Sequence, residues 1–425
     1  MDIVKGGLAA AALTLGTAGM VLVGSGEGAA SAQESPRAGV LVVATTGADR
    51  GSCRMQACAT LGYALTQAGA GDRIVIEPGT YAEVGDANVV APALTGLSIT
   101  SAGGARNTVI DASGNATGLR IEASGVSVGG LTVENAKLEG ILAEPPMSSW
   151  PATPASPPAN LTGVTIAGNI VTGNDQAYDT KLPPTAACPS SLTDADDCGE
   201  GIHLLGVSRS RVIGNEVDHN VGGILVSDGG FGIAVGPAAH NLIAGNLSLD
   251  NAFDCGITLP GHDPFGVATS GPNTGQPQPA IAGVYDNIVI HNVSDGNGGA
   301  GLLDAAPYPG AASYDNVFAG NSASGNGNAG FTLHAHAPEQ DVNGVSVVEN
   351  RFGANNLLGD PDTGVTASTG IMLLSVAVPT STVIAGNRVS DDVNGIAAND
   401  LVTVRGHNFF SDVTNPLVTY TPPAT

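Results

Sequence analysis

Basic residues are scarce in this 425-residue chain: 14 Lys and Arg stand against 38 Asp and Glu, a formal charge of −24. Neutralising a phosphate backbone takes Lys and Arg, so nucleic acid is excluded as a partner. A polyanionic glycan is repelled as well unless a cation intervenes. Aromatic residues make up 4% of the chain, with one Trp, and charged residues 12%, which leaves little material for long charged helices. Beyond the N-terminus no apolar run reaches the length of a membrane helix, so no membrane insertion is expected.

Cysteine is also sparse, and its spacing does not suggest zinc. Cys53 with Cys58, and Cys188 with Cys198, are near enough in sequence to close small loops in an oxidising compartment. Cys255 is then left over and reads as a buried small apolar residue rather than a nucleophile. Export fits the N-terminus, where Lys5, an apolar stretch from Leu8 to Val23 broken by Gly16 and Gly19, and the run Ala30-Ser31-Ala32 read as a secretory signal. The cut is expected before Gln33, giving a signal over 1–32 and a secreted, extracellular mature chain.

What the chain holds in quantity is glycine, 61 residues, with 42% hydrophobic residues in short recurring runs. A pair of Asn residues five apart returns six times: Asn169/Asn174, Asn215/Asn220, Asn246/Asn251, Asn292/Asn297, Asn321/Asn326 and Asn350/Asn355. Asn387 with Asp392 is a weaker seventh copy, and Asn408 opens an eighth. The first Asn residues are 46, 31, 46, 29, 29, 37 and 21 apart, which describes a unit of about 21 residues with loops inserted. An alternating strand such as "VTIAGN" or "LIAGN" precedes each pair, and a second strand opening on Gly and an aliphatic usually follows, as at Gly201-Ile202, Gly256-Ile257 and Gly330-Phe331. Short strands joined by Gly and Asn turns without intervening helices describe a coil that stacks on itself. An Asn at such a corner tolerates left-handed backbone and bonds its amide to the coils above and below, forming a ladder.

Upstream, "ATLGYALTQAGAGD" carries Leu61, Leu65 and Ala68 at helical spacing, followed by a strand from Arg73 to Ile76 and a turn over Pro78-Gly79-Thr80-Tyr81. Residues 33–93 are thus expected to form an N-terminal cap, with the helix plugging the stack, and leading strands. Residues 94–425 are expected to form the coils, about ten in number. The segment "GDRIVIEPGTYAE" and the "GN" repeats resemble the pectin-lyase-like superfamily over nearly all of the mature chain. That resemblance implies an all-β, right-handed parallel β-helix, a solenoid with an N-terminal capping helix. The superfamily spans pectate lyases, polygalacturonases, alginate-acting lyases and epimerases, fructan-acting transferases, phage tailspikes and periplasmic proteins of metal-centre assembly, so it guides fold rather than reaction.

Chemistry is expected where the repeat is violated. The longest insertions, 143–160, 227–239, 260–281, 305–313 and 335–343, fall mostly at one corner and would build a wall beside a groove suited to a linear polymer. Counting outward positions from each Gly exposes His203 and His334 and places Asp228, His262, Asp263 and His336 at loop mouths. Asp304 falls in the same region but at an inward position, so the strand is expected to end or bulge there. These seven residues form the candidate catalytic set, as general acids, bases or metal ligands, and Trp150 in "EPPMSSWPATPASPP" is a candidate for stacking on a sugar face. Near "FDCGI" the chain resembles polygalacturonases, yet Phe253 stands where that family has its first acid, leaving Asp254 alone. The basic residue of lyase-type elimination is not found on the groove coils, Lys137 and Lys181 being the only mature lysines.

No cofactor or metal is specified. Calcium is the ion that the oxygen-rich run Asp194, Asp196, Asp197 and Glu200 would suit. The leading expectation is an extracellular enzyme, a hydrolase, lyase or transferase, acting on a neutral or weakly charged polysaccharide. The alternatives are a non-catalytic glycan- or surface-binding rod and a metal-handling protein using His334 and His336. The oligomeric state is not legible.

Overall fold

Alternating apolar residues in runs of three or four form short strands, and the fold stacks them into three long sheets. A computed structural model describes residues 39–422 apart from 83–84, 86, 152–157, 177–198, 231–232, 262–282, 308–309, 336–339 and 376–379. The first sheet has twelve strands, from Val40–Val43 to Val402–Arg405, and takes the strands that precede the Asn turns. The second has eleven, from Gly79–Ala82 to Phe409–Ser411. The third, also eleven, runs from Val89–Val90 to Asn415–Tyr420 and takes the Gly-aliphatic strands. Neighbours pair in parallel, as in Ile166↔Val212, Val171↔Val217 and Ile202↔Ile224. Each circuit of the chain adds one strand to each sheet, which is a parallel β-helix.

The stack begins earlier than the repeat suggests. Val40–Val43 pairs in register with Arg73–Ile76, and that strand with Ser98–Ser101, so the leading segment already supplies rungs. The turn expected over Pro78–Tyr81 is instead a strand, Gly79–Ala82, paired with Thr108–Asp111. The helix forms over Leu61–Gln67, where the Thr60 hydroxyl accepts the Tyr63 N–H. It places Leu61, Ala64 and Leu65 in the same apolar cluster as Leu41 and Val43 of the first strand.

Inside, side chains repeat in columns. Ile166, Val212, Ile243, Val289, Phe318, Val347 and Ile384 of the first sheet follow one another rung by rung, each fully buried. Every such side chain contributes about 1.5–3 kcal/mol relative to leaving it exposed.

Both Asn residues of each pair are buried and build ladders. The Asn169 N–H and Nδ2 both donate to Asn215 Oδ1 at 3.0 and 3.1 Å, while Nδ2 also reaches Val128 O of the preceding rung at 3.3 Å. The pattern continues through Asn246, Asn292, Asn321, Asn350, Asn387 and Asn408. A second ladder runs from Asn174 to Asn355 and ends on Asp392, whose Oδ1 accepts the Asn355 N–H. A third, not foreseen, links Ser210, Asn241, Asn287 and Asn316 at the remaining corner. The left-handed residue is not the ladder Asn but the one before it: Gly168, Gly214 and Gly245 at φ 62–65°, and His291 at φ 56°. Glycine suits that position because it lacks the Cβ that makes positive φ unfavourable.

Cys53 and Cys58 form a disulfide, and Cys255 is a buried free thiol. Burial, with Asp254 alongside, pushes that thiol well above its usual range, in keeping with an inert apolar role. Cys188 and Cys198 lie outside the described residues.

Asp304 shows no bulge. It sits within the regular strand Leu302–Ala306, in register with the core residues Leu259 and Leu333, and is fully buried. Asn316 Nδ2 donates to its Oδ2 at 2.9 Å. Burial raises its pKa to about 8, against partial relief from Ser313 and Asn316.

Two outcomes follow for stability. Asn246→Ala and Asn321→Ala should each destabilise by about 1–3 kcal/mol, since a buried corner then loses its partner, measurable by denaturant unfolding; an unchanged midpoint would refute the ladder's role. Asp304 holds its proton in the folded state up to about pH 8 but only to about pH 4 when unfolded. Its contribution to stability is therefore present below pH 4 and falls by at most about 1.4 kcal/mol per pH unit from there to pH 8. Asp304→Asn should melt above the parent protein at pH 8.5, with the gap closing toward pH 4.

Candidate functional site

Period-two geometry turns every second residue of the third sheet outward, and loops from two corners flank that face. One outward column runs Arg120, Leu142, His203, Leu225, Thr258, Leu303, Thr332 and Met372. A second, two residues on, pairs Leu205 with Ser227 and, farther along, Ala305 with His334 and Leu374. Arg120 corrects the expectation of a groove without basic residues: it lies on this face and pairs with Glu144 at 3.2 Å.

His334 faces outward as counted but is buried, 6% exposed, at the floor of a cavity of about 690 Å³ lined also by Phe253, Asp254, Leu303, Thr332, Leu358, Asp360 and Asp362. Its Nε2 lies 3.2 Å from Asp360 Oδ2 and its Nδ1 3.9 Å from Asp362 Oδ2. Burial works to raise the Asp360 pKa, but His334 and the N–H groups of Asp362 and Thr363 prevail and hold it below the usual carboxylate range. Asp360 is thus an ionised carboxylate standing beside the imidazole. The loop carrying both carboxylates, between Arg351–Gly353 and Thr369–Ser375, lies at the corner opposite the expected wall. The signal for it in the sequence is the step of 15 positions from Asn355 to Gly370, against 4 from Asn326 to Gly330. Phe253 and Leu358, 43% and 79% exposed, give the cavity an apolar rim. Another depression, of about 630 Å³, is lined by turn glycines such as Gly168, Gly214 and Gly245 with Arg106 and Glu216, and offers no comparable acid–base pair.

The other candidates divide. Asp304 points into the core, on the opposite side of the sheet from His334, and does not join it. His203 faces outward as counted but is buried, 3% exposed, because loops cover that stretch of the sheet. Its Nδ1 lies 3.2 Å from Glu139 Oε1 and its Nε2 2.8 Å from Ser227 Oγ. Asp228 is not at an open mouth either: it is fully buried, and its carbonyl accepts the N–H groups of Val235 and Gly236. Trp150 packs on Leu142, Ala159, Leu205 and Val235, and its Nε1 donates to Pro145 O at 2.8 Å. His262, Asp263, His336 and the run Asp194, Asp196 and Asp197 lie outside the described residues. Glu200 of that run begins the strand Glu200–Leu205 and is buried.

Around His203 the sequence reading missed three acids, Glu139, Glu144 and Asp175, which join Glu200 of the oxygen-rich run; each of the four is 3% exposed. Burial raises Glu144 to about 7 despite Arg120 and His203 nearby, and burial with the charge of Glu139 raises Asp175 well above its usual range. Glu139 and Glu200 both stand directly before the Gly of a Gly-aliphatic strand, a position the outward count did not include.

No protein-family model matches the chain, and no curated protein matches its sequence. Solved structures match in fold. The A-module of a mannuronan C-5 epimerase from Azotobacter vinelandii aligns over 90% of this chain and 99% of its own, at 13% identity and a TM-score of 0.50. A GH136 lacto-N-biosidase from Eubacterium ramulus aligns over 90% of this chain and 68% of its own, at 12% identity and a TM-score of 0.50. At such identities the likeness is one of architecture, and the fold is the right-handed parallel β-helix of pectin-lyase-like proteins.

Proposed function

We propose that this protein is an exported carbohydrate-active enzyme that binds a polysaccharide along the outward face of the third sheet. In this reading His334 performs proton transfer while Asp360 and Asp362 hold it. The observation that carries the reading is the His334–Asp360 pair, 3.2 Å apart at the floor of an open cavity with Asp254 on its lining. A histidine fixed by an ionised carboxylate is suited to taking a proton from a sugar hydroxyl, ring carbon or water and returning one to a leaving oxygen. The apolar rim of Phe253 and Leu358 suits the hydrophobic faces of sugar rings, and the charge of −24 disfavours a polyanion. Both structural neighbours are named for reactions on glycans, which agrees with this reading. The metal-handling alternative rests on His334 with His336, and His336 lies outside the described residues.

Incubation of the mature protein with a panel of neutral glycans, followed by mass spectrometry, should reveal a released or altered product. His334→Ala should lower turnover about 100- to 10,000-fold with the melting temperature nearly unchanged. His291→Ala, at an exposed turn, should keep full activity. Equal activity in the two variants would sink the assignment, and retention on an insoluble glycan without product would show a binding protein instead.

A further inference from the structure

A second polar group interrupts the same face four rungs from His334. The strands between are consecutive neighbours: Glu200–Leu205, Gly222–Ser227, Ile257–Pro260, Leu302–Ala306 and Phe331–Ala335. At ~4.8 Å per rung the separation is about 19 Å. Here three residues on successive rungs touch in a diagonal line. Glu139 Oε1 lies 3.2 Å from His203 Nδ1, and His203 Nε2 lies 2.8 Å from Ser227 Oγ. The far oxygen of Glu139, Oε2, accepts the Glu200 N–H at 2.8 Å, which fixes the carboxylate from behind.

Burying this line is unfavourable compared with the apolar alternative that the sheet uses next to it. His203 stands in register between Leu142 and Leu225, and Ser227 beside Leu205. A leucine at 203 would continue the column without desolvating an acid, an imidazole and a hydroxyl. The connectivity also has a chemical order. With its proton on Nδ1, His203 donates to Glu139 and presents a bare Nε2 to the Ser227 hydroxyl, the arrangement that activates a serine. A small apolar cluster, Leu142, Ala159, Leu205 and Val235 with Trp150 packed on it, adjoins the two reacting side chains.

We propose that Ser227, His203 and Glu139 form a second site that hydrolyses short-chain O-acyl esters, with Ser227 as nucleophile, His203 as proton carrier and Glu139 as the positioning residue. Ser227 Oγ bonds to the acyl carbon as its proton passes to His203 Nε2. The bond from the acyl carbon to the alcohol oxygen then breaks, and that oxygen leaves with the proton. Water attacks the acyl-serine by the same route, giving the carboxylic acid and the free hydroxyl. This activity does not depend on the chemistry assigned to His334.

The test uses the whole mature protein, p-nitrophenyl acetate and peracetylated glucose as esters, and a fluorophosphonate as an active-serine probe. Ser227 is fully buried, so labelling measures directly whether reagents reach it. The expected result is ester hydrolysis above buffer, a fluorophosphonate adduct on the peptide containing Ser227, and a fall of about 1,000-fold or more in Ser227→Ala and His203→Ala. Glu139→Gln should lower kcat with little change in KM. Circular dichroism and melting show which variants fold, and loss of the adduct in His203→Ala reports activation even if Ser227→Ala fails to fold. Absence of both hydrolysis and adduct in the folded parent protein overturns the proposal. So does an adduct on another residue, or undiminished hydrolysis in folded Ser227→Ala. Because these esters contain no glycosidic bond, failure here leaves the His334 assignment standing, and the converse also holds.

Discussion

The structure depends on satisfying the backbone at its corners. Parallel strands bond to each other along their length, but at each turn N–H and C=O groups point along the stack with no strand to receive them, inside a dry interior. Asn answers this because one short side chain carries both an acceptor and two donors. Its oxygen takes the N–H of one neighbouring rung, and its amide reaches a carbonyl of the same stack, as Asn215 does between Asn169 and Ile166. Asp392 shows the limit of the device. It can accept at the end of a ladder, as from Asn355, but burial raises its pKa to about 6, so an acid is poorly suited to the middle of the stack.

With the corners fixed, a strict alternation decides which residues meet solvent and which meet the core. One residue of difference separates Asp304, sealed between Leu259 and Leu333, from the column of Ala305 and His334 that faces the cavity. The same alternation sets up the outward face as a register of side chains about one strand spacing apart. Loops then determine whether a given stretch borders a cavity, as at His334, or is closed over, as at His203, although both side chains are largely buried.

Most of the frame was legible because the repeat is physical as well as statistical. Asn pairs, Gly-aliphatic openings and the strand Arg73–Ile76 all occupy the places their chemistry demands. The third ladder was less visible although Ser210, Asn241, Asn287 and Asn316 each stand five residues before the first Asn of a pair, because the same place is held by Val164, Val345 and Thr382 on other rungs and the column is broken. The site was less legible, since outward direction is encoded locally whereas cover is not. The count placed His203 and His334 on the right side of the sheet but could not tell that one lies under loops. Asp360 and Asp362, Glu139 and Ser227 become partners only through rungs distant in sequence, where 26 residues separate His334 from Asp360 and 64 separate His203 from Glu139.

The ladder register also has a topological meaning. Asn246 and Asn292 are 46 residues apart, Asn292 and Asn321 only 29, yet both pairs are adjacent rungs joined by the same 2.9 Å contacts. The length of chain spent between rungs therefore does not enter the geometry of the floor. Walls and floor are separable parts: an inserted loop lengthens the path without displacing a single column, so a binding surface could be rebuilt by exchanging whole loops over an unchanged scaffold.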